Sequence, residues 1–307
     1  MIAFGPVPSR RLGRSVGVNN IPPKKCTYSC IYCQIGGAYK MGITRREFYE
    51  PDHILNEVRK KVVTAKGTID YLTFVPDGEP TLDVNLGHEI KLLKKLGIKV
   101  AVITNSSLMH SPDVREDLME ADLVSVKVDS TQEDVWKRIN RPHGKLNINS
   151  ILNGLLSFSG EYEGKLITET MLVKGVNDSD ENVNRVGSFI SELKAEKSYL
   201  SVPIRPPAEK SVHIADASTI NRAYQILKTK IGNVEYLIGY EGNEFGFSGD
   251  VKRDILSTTS VHPMRQDAVE ILLKQANCKW SVVNELIEQG QLVETEYNKH
   301  KFYMRKI

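Results

Sequence analysis

Three cysteines fall within eight residues, Cys26-Thr-Tyr-Ser-Cys30-Ile-Tyr-Cys33, and they constrain this chain more than any other feature. Thiols crowded in this way hold metal more readily than they pair as disulfides in a reducing compartment. Such a compartment is the expectation here. The opening Met1-Ile-Ala-Phe-Gly-Pro has no basic region followed by an apolar run, so no secretory leader is read and the cytoplasm is the expected location. No stretch approaches ~18 uncharged apolar residues, so no membrane span is expected. The fourth cysteine, Cys278, lies far along the chain and reads as a small buried hydrophobe.

A cysteine-bound iron–sulfur cubane ordinarily takes four thiolates. Three at these spacings let a short loop wrap one cluster and leave one iron open to a ligand. Structural zinc is the rival reading. It wants four ligands, commonly from two C-x2-C pairs, and the nearest histidine, His53, lies outside the loop.

At 307 residues the chain can bury one large core and still carry an appendage. A net charge of +3 is too small to imply nucleic acid, so any basic surface must be local. Strand-like runs rich in Val, Ile and Leu occur at 15–20, 71–75, 99–103, 123–128, 166–173 and 199–204. Helical patterns at 51–63, 86–96, 182–193 and 218–230 alternate with them. Strand–helix alternation predicts parallel strands joined by right-handed crossovers. Six units suit a curved, partly open barrel. A glycine-rich stretch, 239–250, ends this pattern. Two helices at 264–276 and 279–288 and two strands at 292–297 and 301–305 then suggest a winged helix-turn-helix, with Asn298 and Lys299 at the hairpin tip. The expected architecture is therefore α/β: a partial (β/α)6 TIM-like barrel over residues 1–250 and a winged helix over 251–307.

Pro23-Lys-Lys-Cys-Thr-Tyr-Ser-Cys-Ile-Tyr-Cys-Gln34 resembles the cluster loop of the radical-SAM superfamily. That resemblance implies a [4Fe–4S] cluster on Cys26, Cys30 and Cys33, with S-adenosylmethionine (SAM) on the open iron. It implies reductive cleavage of SAM to methionine and a 5′-deoxyadenosyl radical, with a flavodoxin- or ferredoxin-type protein as reductant. Tyr32 matches the aromatic that lies against adenine. Thr73-Phe-Val-Pro-Asp-Gly-Glu-Pro-Thr-Leu82 resembles the superfamily's Gly-Gly-Glu motif, with Asp77 replacing the first glycine, and implicates Gly78 and Glu79. Thr104 and Asn105, then Lys127 and Asp129, match strand-end positions that contact SAM's carboxylate and ribose. Helix capping by Ser111 and Ser130 is the plainer reading of those two turns. Lys174-Gly-Val-Asn-Asp178 resembles the family's Gly-x-Asn-Asp turn, and Arg205 is an anion contact or a surface salt bridge.

Gly5-Pro-Val-Pro-Ser-Arg-Arg-Leu-Gly13 is similar to the wyosine-type tRNA guanosine synthases, although the extra cysteines of their second cluster are missing. Arg10, Arg11, Arg14, Lys24 and Lys25 are expected to cluster beside the mouth, either to hold phosphates or as a solvated charged edge. Lys299, His300, Lys301 and Arg305 make the hairpin basic, whereas the candidate recognition helix carries Glu285 and Glu288. Modification of a base in tRNA is one functional reading. Radical modification or activation of a peptide, protein or small metabolite is the second, and a zinc-binding winged-helix regulator is the non-enzymatic alternative.

Overall fold

Alternation along the central strands decides the architecture. Odd-numbered Tyr71 and Thr73 face one side and Leu72 and Phe74 the other, and the same split recurs from strand to strand. In a computed structural model that describes residues 1–37, 40–65, 67–240 and 242–306, these strands curl into one open sheet sheathed by helices.

Strand β1 (Ala3–Ser9) forms a hairpin with β2 (Gly13–Val18), which leads to the short parallel pair β3 (Lys25–Cys26) and β4 (Lys40–Met41). Then come α1 (Pro51–Thr64), β5 (Tyr71–Phe74), α2 (Leu86–Lys94), β6 (Lys99–Thr104), α3 (Pro112–Met119) and β7 (Leu123–Lys127). Two helices, α4 (Glu133–Asn140) and α5 (Ile148–Glu161), precede β8 (Lys165–Met171). The alternation closes with α6 (Asp180–Glu192), β9 (Lys197–Ser201), α7 (Ala217–Lys230) and β10 (Val234–Leu237). The sheet order is β1-β2-β5-β6-β7-β8-β9-β10; every pair is parallel except β1 with β2.

All six expected strands are present, and β1 and β10 extend them. Both are edges. Pro6 and Pro8 in β1 cannot donate to a ladder, which an edge tolerates. β10 reads Val-Glu-Tyr-Leu and is only half-buried, so it lacks the apolar run by which buried strands are recognised.

Outward-facing Val16, Leu72, Val100, Val102, Val124, Val126, Leu166 and Leu200 pack against the helices in the main core. Inside the curl, Leu12, Ala101, Leu123, Ile167 and Tyr199, with Tyr71 and Leu237, form a separate apolar floor.

After the glycine-rich stretch, α8 (Val251–Val261) is a helix that sequence patterning did not single out, because its last turns are Ser-Thr-Thr-Ser. The expected helix from 264 begins two residues later: β11 (Met264–Arg265) pairs with β13 (His300–Arg305), and α9 (Gln266–Gln275) follows. Met264 is fully buried at that pairing. Then come α10 (Ser281–Glu288) and β12 (Leu292–Tyr297), whose hairpin with β13 turns at Asn298 and Lys299, both left-handed (φ 50° and 64°). This unit's apolar cluster takes in Phe4 and Val7 of β1, so it packs directly on the sheet edge. No helix among the described residues is long and apolar enough to cross a membrane.

Candidate active site

The cysteine loop leaves the C-terminal end of β2 and is fastened to the end of α4. Ile31 N–H donates to the Ile139 carbonyl (3.0 Å), Ser29 N–H to Asn140 (3.1 Å), and His143 N–H to Thr27 (2.9 Å). Trp136 Nε1–H donates to the Tyr28 hydroxyl (3.1 Å), and the two rings meet edge to face. Cys26, Cys30 and Cys33 are unpaired and half-buried, while Cys278 packs in the C-terminal unit's cluster.

Two amides point at the thiols: Asn105 Nδ2 lies 3.4 Å from Cys26 Sγ and Asn140 Nδ2 lies 3.5 Å from Cys30 Sγ. Burial pushes all three thiols up, Cys30 to about 12, so a bare thiolate is disfavoured until a cation compensates it. Among the described residues no three His, Cys, Asp or Glu side chains stand close enough to share one metal ion. A cubane binds each thiolate at a different iron and so spaces them more widely. Three unpaired thiols with amide donors at two sulfurs suit a cluster of that kind.

Gly78 and Glu79 lie against the strand that carries Cys26. Glu79 N–H donates to the Lys25 carbonyl (3.0 Å), and a Cβ on Gly78 would stand 1.7 Å from that same oxygen. Only glycine permits this approach. The Glu79 carboxylate is buried and fully engaged. It accepts from Thr81 Oγ1 (2.7 Å), Thr104 Oγ1 (2.6 Å) and the Asn105 N–H (2.7 Å), tying the end of β5 to the end of β6.

Asp129 is likewise engaged, by the Tyr32 hydroxyl, by Asn140 Nδ2 (2.7 Å) and by the Met171 N–H (2.8 Å). Asn140 thus touches Cys30, Tyr32 and Asp129 together. Sequence reasoning missed it because it ends a helix whose pattern reports only packing. In the Gly-x-Asn-Asp turn, Asn177 is buried and bonds the Asp129 and Met171 carbonyls (2.9 and 2.8 Å), splicing the ends of β7 and β8. Ser111 holds the N-cap position of α3, but its hydroxyl bonds Asp113 and caps no backbone N–H. Ser130 lies two residues before the N-cap of α4, where its hydroxyl donates to Asn182 (2.6 Å) and accepts from the Gln132 N–H (3.0 Å).

Inside the curl lies a cavity of about 340 Å³ bordered by Tyr32 and Cys33. Its wall holds a second residue that patterning passed over, Glu169. A charged residue in the middle of β8, Lys-Leu-Ile-Thr-Glu-Thr-Met, was the available signal. Glu169 is 8% exposed and accepts from Arg11, from Lys127 Nζ (3.0 Å) and from the Ser201 hydroxyl (3.0 Å). Burial pushes its carboxyl up, but Arg11 and Lys127 outweigh burial and hold it well below the ordinary range. Lys127 Nζ also sits 5.0 Å from the centre of the Tyr32 ring. Arg205 follows β9 by four residues and donates to Gln34 Oε1 (2.6 Å), while Gln34 Nε2 donates to the Val261 carbonyl (2.8 Å). His262 lies within 3.3 Å of Arg205.

The five basic residues expected at one mouth are separated by strand direction. Ser9 pairs with Gly13, which puts Arg10, Arg11 and Arg14 at the N-terminal end of β2; Lys24 and Lys25 follow its C-terminal end. Arg10 and Arg11 border the cavity, whereas Arg14 reaches the Thr68 carbonyl and its N–H donates to Asp70 (2.7 Å).

Residues 20–185 match the family described as the radical SAM superfamily. A UPF0026 protein of Methanocaldococcus jannaschii is 46% identical over 309 residues, covering all of this chain and 96% of that protein. A UPF0026 protein of Helicobacter pylori is 36% identical over 218 residues, 70% of each chain. Among solved structures, a radical SAM methyltransferase from Sphaerobacter thermophilus superposes with a TM-score of 0.53 at 16% identity, over 73% of this chain and 66% of that one. SuiB of Streptococcus suis, solved with S-adenosylmethionine, gives 0.54 at 14% identity over 72% of this chain and 49% of that one. These two share the partial-barrel fold. Together with the three-cysteine loop at the strand ends, the matches identify an enzyme of the family that uses a [4Fe–4S] cluster and SAM, rather than a zinc-binding regulator: the chain belongs to the radical SAM superfamily.

Proposed function

We propose that this enzyme cleaves SAM reductively at a cluster held by Cys26, Cys30 and Cys33, and directs the resulting radical chemistry at a substrate group lodged in the cavity inside the curled sheet. The observation that carries this reading is the position of Cys33 and Tyr32 on the wall of the cavity itself, so that chemistry at the loop opens directly into it. When bound, the cluster supplies the electron that splits SAM's S–C5′ bond into methionine and a 5′-deoxyadenosyl radical.

The chain's own residues prepare the ground. Gly78 lets the turn after β5 lie on the cysteine strand, where its backbone groups would meet the methionine end of SAM. Thr104 and Asn105 are locked by Glu79, which positions their backbone groups at the same end. Tyr32, oriented by Asp129 and Asn140, offers a ring face to adenine, and Asp129 is within reach of a ribose hydroxyl. Lys127 and Arg205 would meet carboxylates. Floor residues Leu12, Tyr199 and Leu237 give the far end of the cavity an apolar surface.

The test is anaerobic reconstitution with iron and sulfide, followed by assay of 5′-deoxyadenosine in dithionite and, separately, in reduced flavodoxin or ferredoxin. Cys26→Ala should abolish the product, since the fourth cysteine lies in another cluster. Undiminished product in that variant would defeat the assignment.

RNA is the second substrate reading. A protein of Pseudothermotoga lettingae described as a probable dual-specificity RNA methyltransferase is 22% identical over 187 residues, 58% of this chain and 52% of that one. We read residues 251–307 as a winged helix whose basic hairpin would rest on phosphates. Binding of tRNA with a steep salt dependence would support it.

A further inference from the structure

The charges facing the cavity do not balance. Arg205 is engaged by Gln34 and His262, and Lys127 and Arg11 share the single carboxylate of Glu169. Arg10 also borders the cavity, and none of the ion pairs among the described residues involves it. Arg205 apart, three cations among the described lining residues therefore meet one carboxylate. SAM, a net cation, and a cluster on three thiolates, a net anion, offset one another and leave this surplus in place. Unbalanced positive charge at the rim of an apolar cavity is an anion site.

Lys127 sits beside Tyr32, but geometry separates Arg10 and Arg11 from the SAM end. Arg10 and Arg11 stand on the turn between β1 and β2, at the N-terminal end of β2, whereas the cysteine loop, Gly78, Thr104 and Asn105 lie at the strands' C-terminal ends. The sheet is open between its edge strands β1 and β10, and Arg10 stands at this seam; a Cβ on Gly239, just beyond β10, would lie 3.6 Å from an Arg10 guanidinium nitrogen. Apolar Phe4, Val7, Leu12, Ile103 and Leu237 line the same cavity. Its volume of about 340 Å³ suits a molecule of modest size sharing the space with the reactive end of SAM.

We propose that the substrate is a small molecule with an apolar body and one oxyanion, a carboxylate or a phosphate, held by Arg10 and Arg11 at the seam between β1 and β10. This rests on the SAM-cleaving reading for its chemistry but not for its binding. The oxyanion fixes the depth of the substrate, its body lies on the apolar wall, and the end remote from the anion faces Tyr32 and Cys33.

The test uses the full chain and two probes, inorganic phosphate and acetate, titrated calorimetrically at constant ionic strength set with chloride. One saturable site is expected, and the probe that binds more tightly tells phosphate from carboxylate. Arg10→Gln should weaken it roughly tenfold or more, the scale of one charge-assisted contact. Arg10→Glu should abolish it, and Arg14→Gln, outside the cavity, should leave it unchanged. Arg10 is exposed, so its variants should fold, which their circular dichroism checks. No saturable binding by the parent chain, or equal binding in Arg10→Glu, overturns the proposal. So does steeply salt-dependent tRNA binding lost in Arg10→Glu, which would assign the arginines to a polynucleotide. Production of 5′-deoxyadenosine by the holoenzyme is read in parallel: its loss with anion binding intact defeats the SAM-cleaving reading alone, and its presence without anion binding defeats the oxyanion site alone.

Discussion

Replacing Glu169 by Gln should cost this protein more stability than most single changes of its size. The side chain keeps its shape, but the Arg11 guanidinium and the Lys127 ammonium lose the one carboxylate between them, in a site where all three groups are largely shielded from water. Removing one partner of a buried ion pair costs about 3–5 kcal/mol, because the remaining charge has no solvent to return to. Unfolding entropy of about 2.1 cal/mol/K per residue over 307 residues makes each kcal/mol worth about 1.6 °C. The melting temperature should therefore fall by about 5–8 °C, measured on the anaerobic chain at pH 7.5. Glu169→Gln combined with Lys127→Met should fall short of the sum of the two single effects by roughly 1–3 kcal/mol, since the second change removes one of the stranded charges. The pH dependence follows from direction. The folded carboxyl titrates below its ordinary value of 4.5, so its contribution is present above that value and is lost only as pH falls through the lower folded one. The gap between parent and variant should thus be constant from pH 5 to 8. A shift of less than about 2 °C, or a gap that closes near neutrality, would refute the reasoning, the former because it falls below the ~3 kcal/mol lower bound.

Glu89 should behave in the opposite sense: burial, and after it the neighbouring Asp83, push its carboxyl up to about 9 against the pull of Asn20, so the unfolded chain gives up this proton first. Stability should decline as pH rises from about 4.5 toward 9, and Glu89→Gln should be the more stable chain at pH 8 by about 2–4 kcal/mol, an effect absent at pH 4.5; parallel urea midpoints for both chains across that range would dismiss it. Asn140→Ala removes the amide shared by Cys30, Tyr32 and Asp129, and should lower cluster retention or 5′-deoxyadenosine yield by roughly 10–100-fold while leaving the fold's circular dichroism intact. Unchanged iron content and yield would remove Asn140 from the site.

Much of this arrangement was legible because buried strands announce themselves. Val-Ala-Val-Ile and Leu-Val-Ser-Val each need two apolar faces, and a chain that alternates them with amphipathic helices has few ways to fold. The edges were hidden for the complementary reason: β1 is interrupted by prolines and β10 by a glutamate, as exposed strands tolerate. The same contrast holds in the site. Cysteine spacing is a local property and can be read directly, whereas the partnership of Arg11 with Glu169 spans 158 positions and depends on which face of β8 turns inward. Sequence proximity even misled at one point. Arg14 and Lys24 are ten positions apart, yet β2 runs between them and carries them to opposite ends of the sheet.

The bridge from Gln34 to Val261 spans 227 positions, and with it comes the order in which this enzyme can be completed. A ribosome will have finished the cysteines long before it makes α8, so the nascent loop emerges with its thiols available and one of its clamps still unsynthesised. Iron delivered at that stage would meet an unfinished receptacle. Maturation of the metal centre should accordingly trail release of the polypeptide, and a chain stopped short of residue 261 should load iron poorly even though all three proposed cysteine ligands are present.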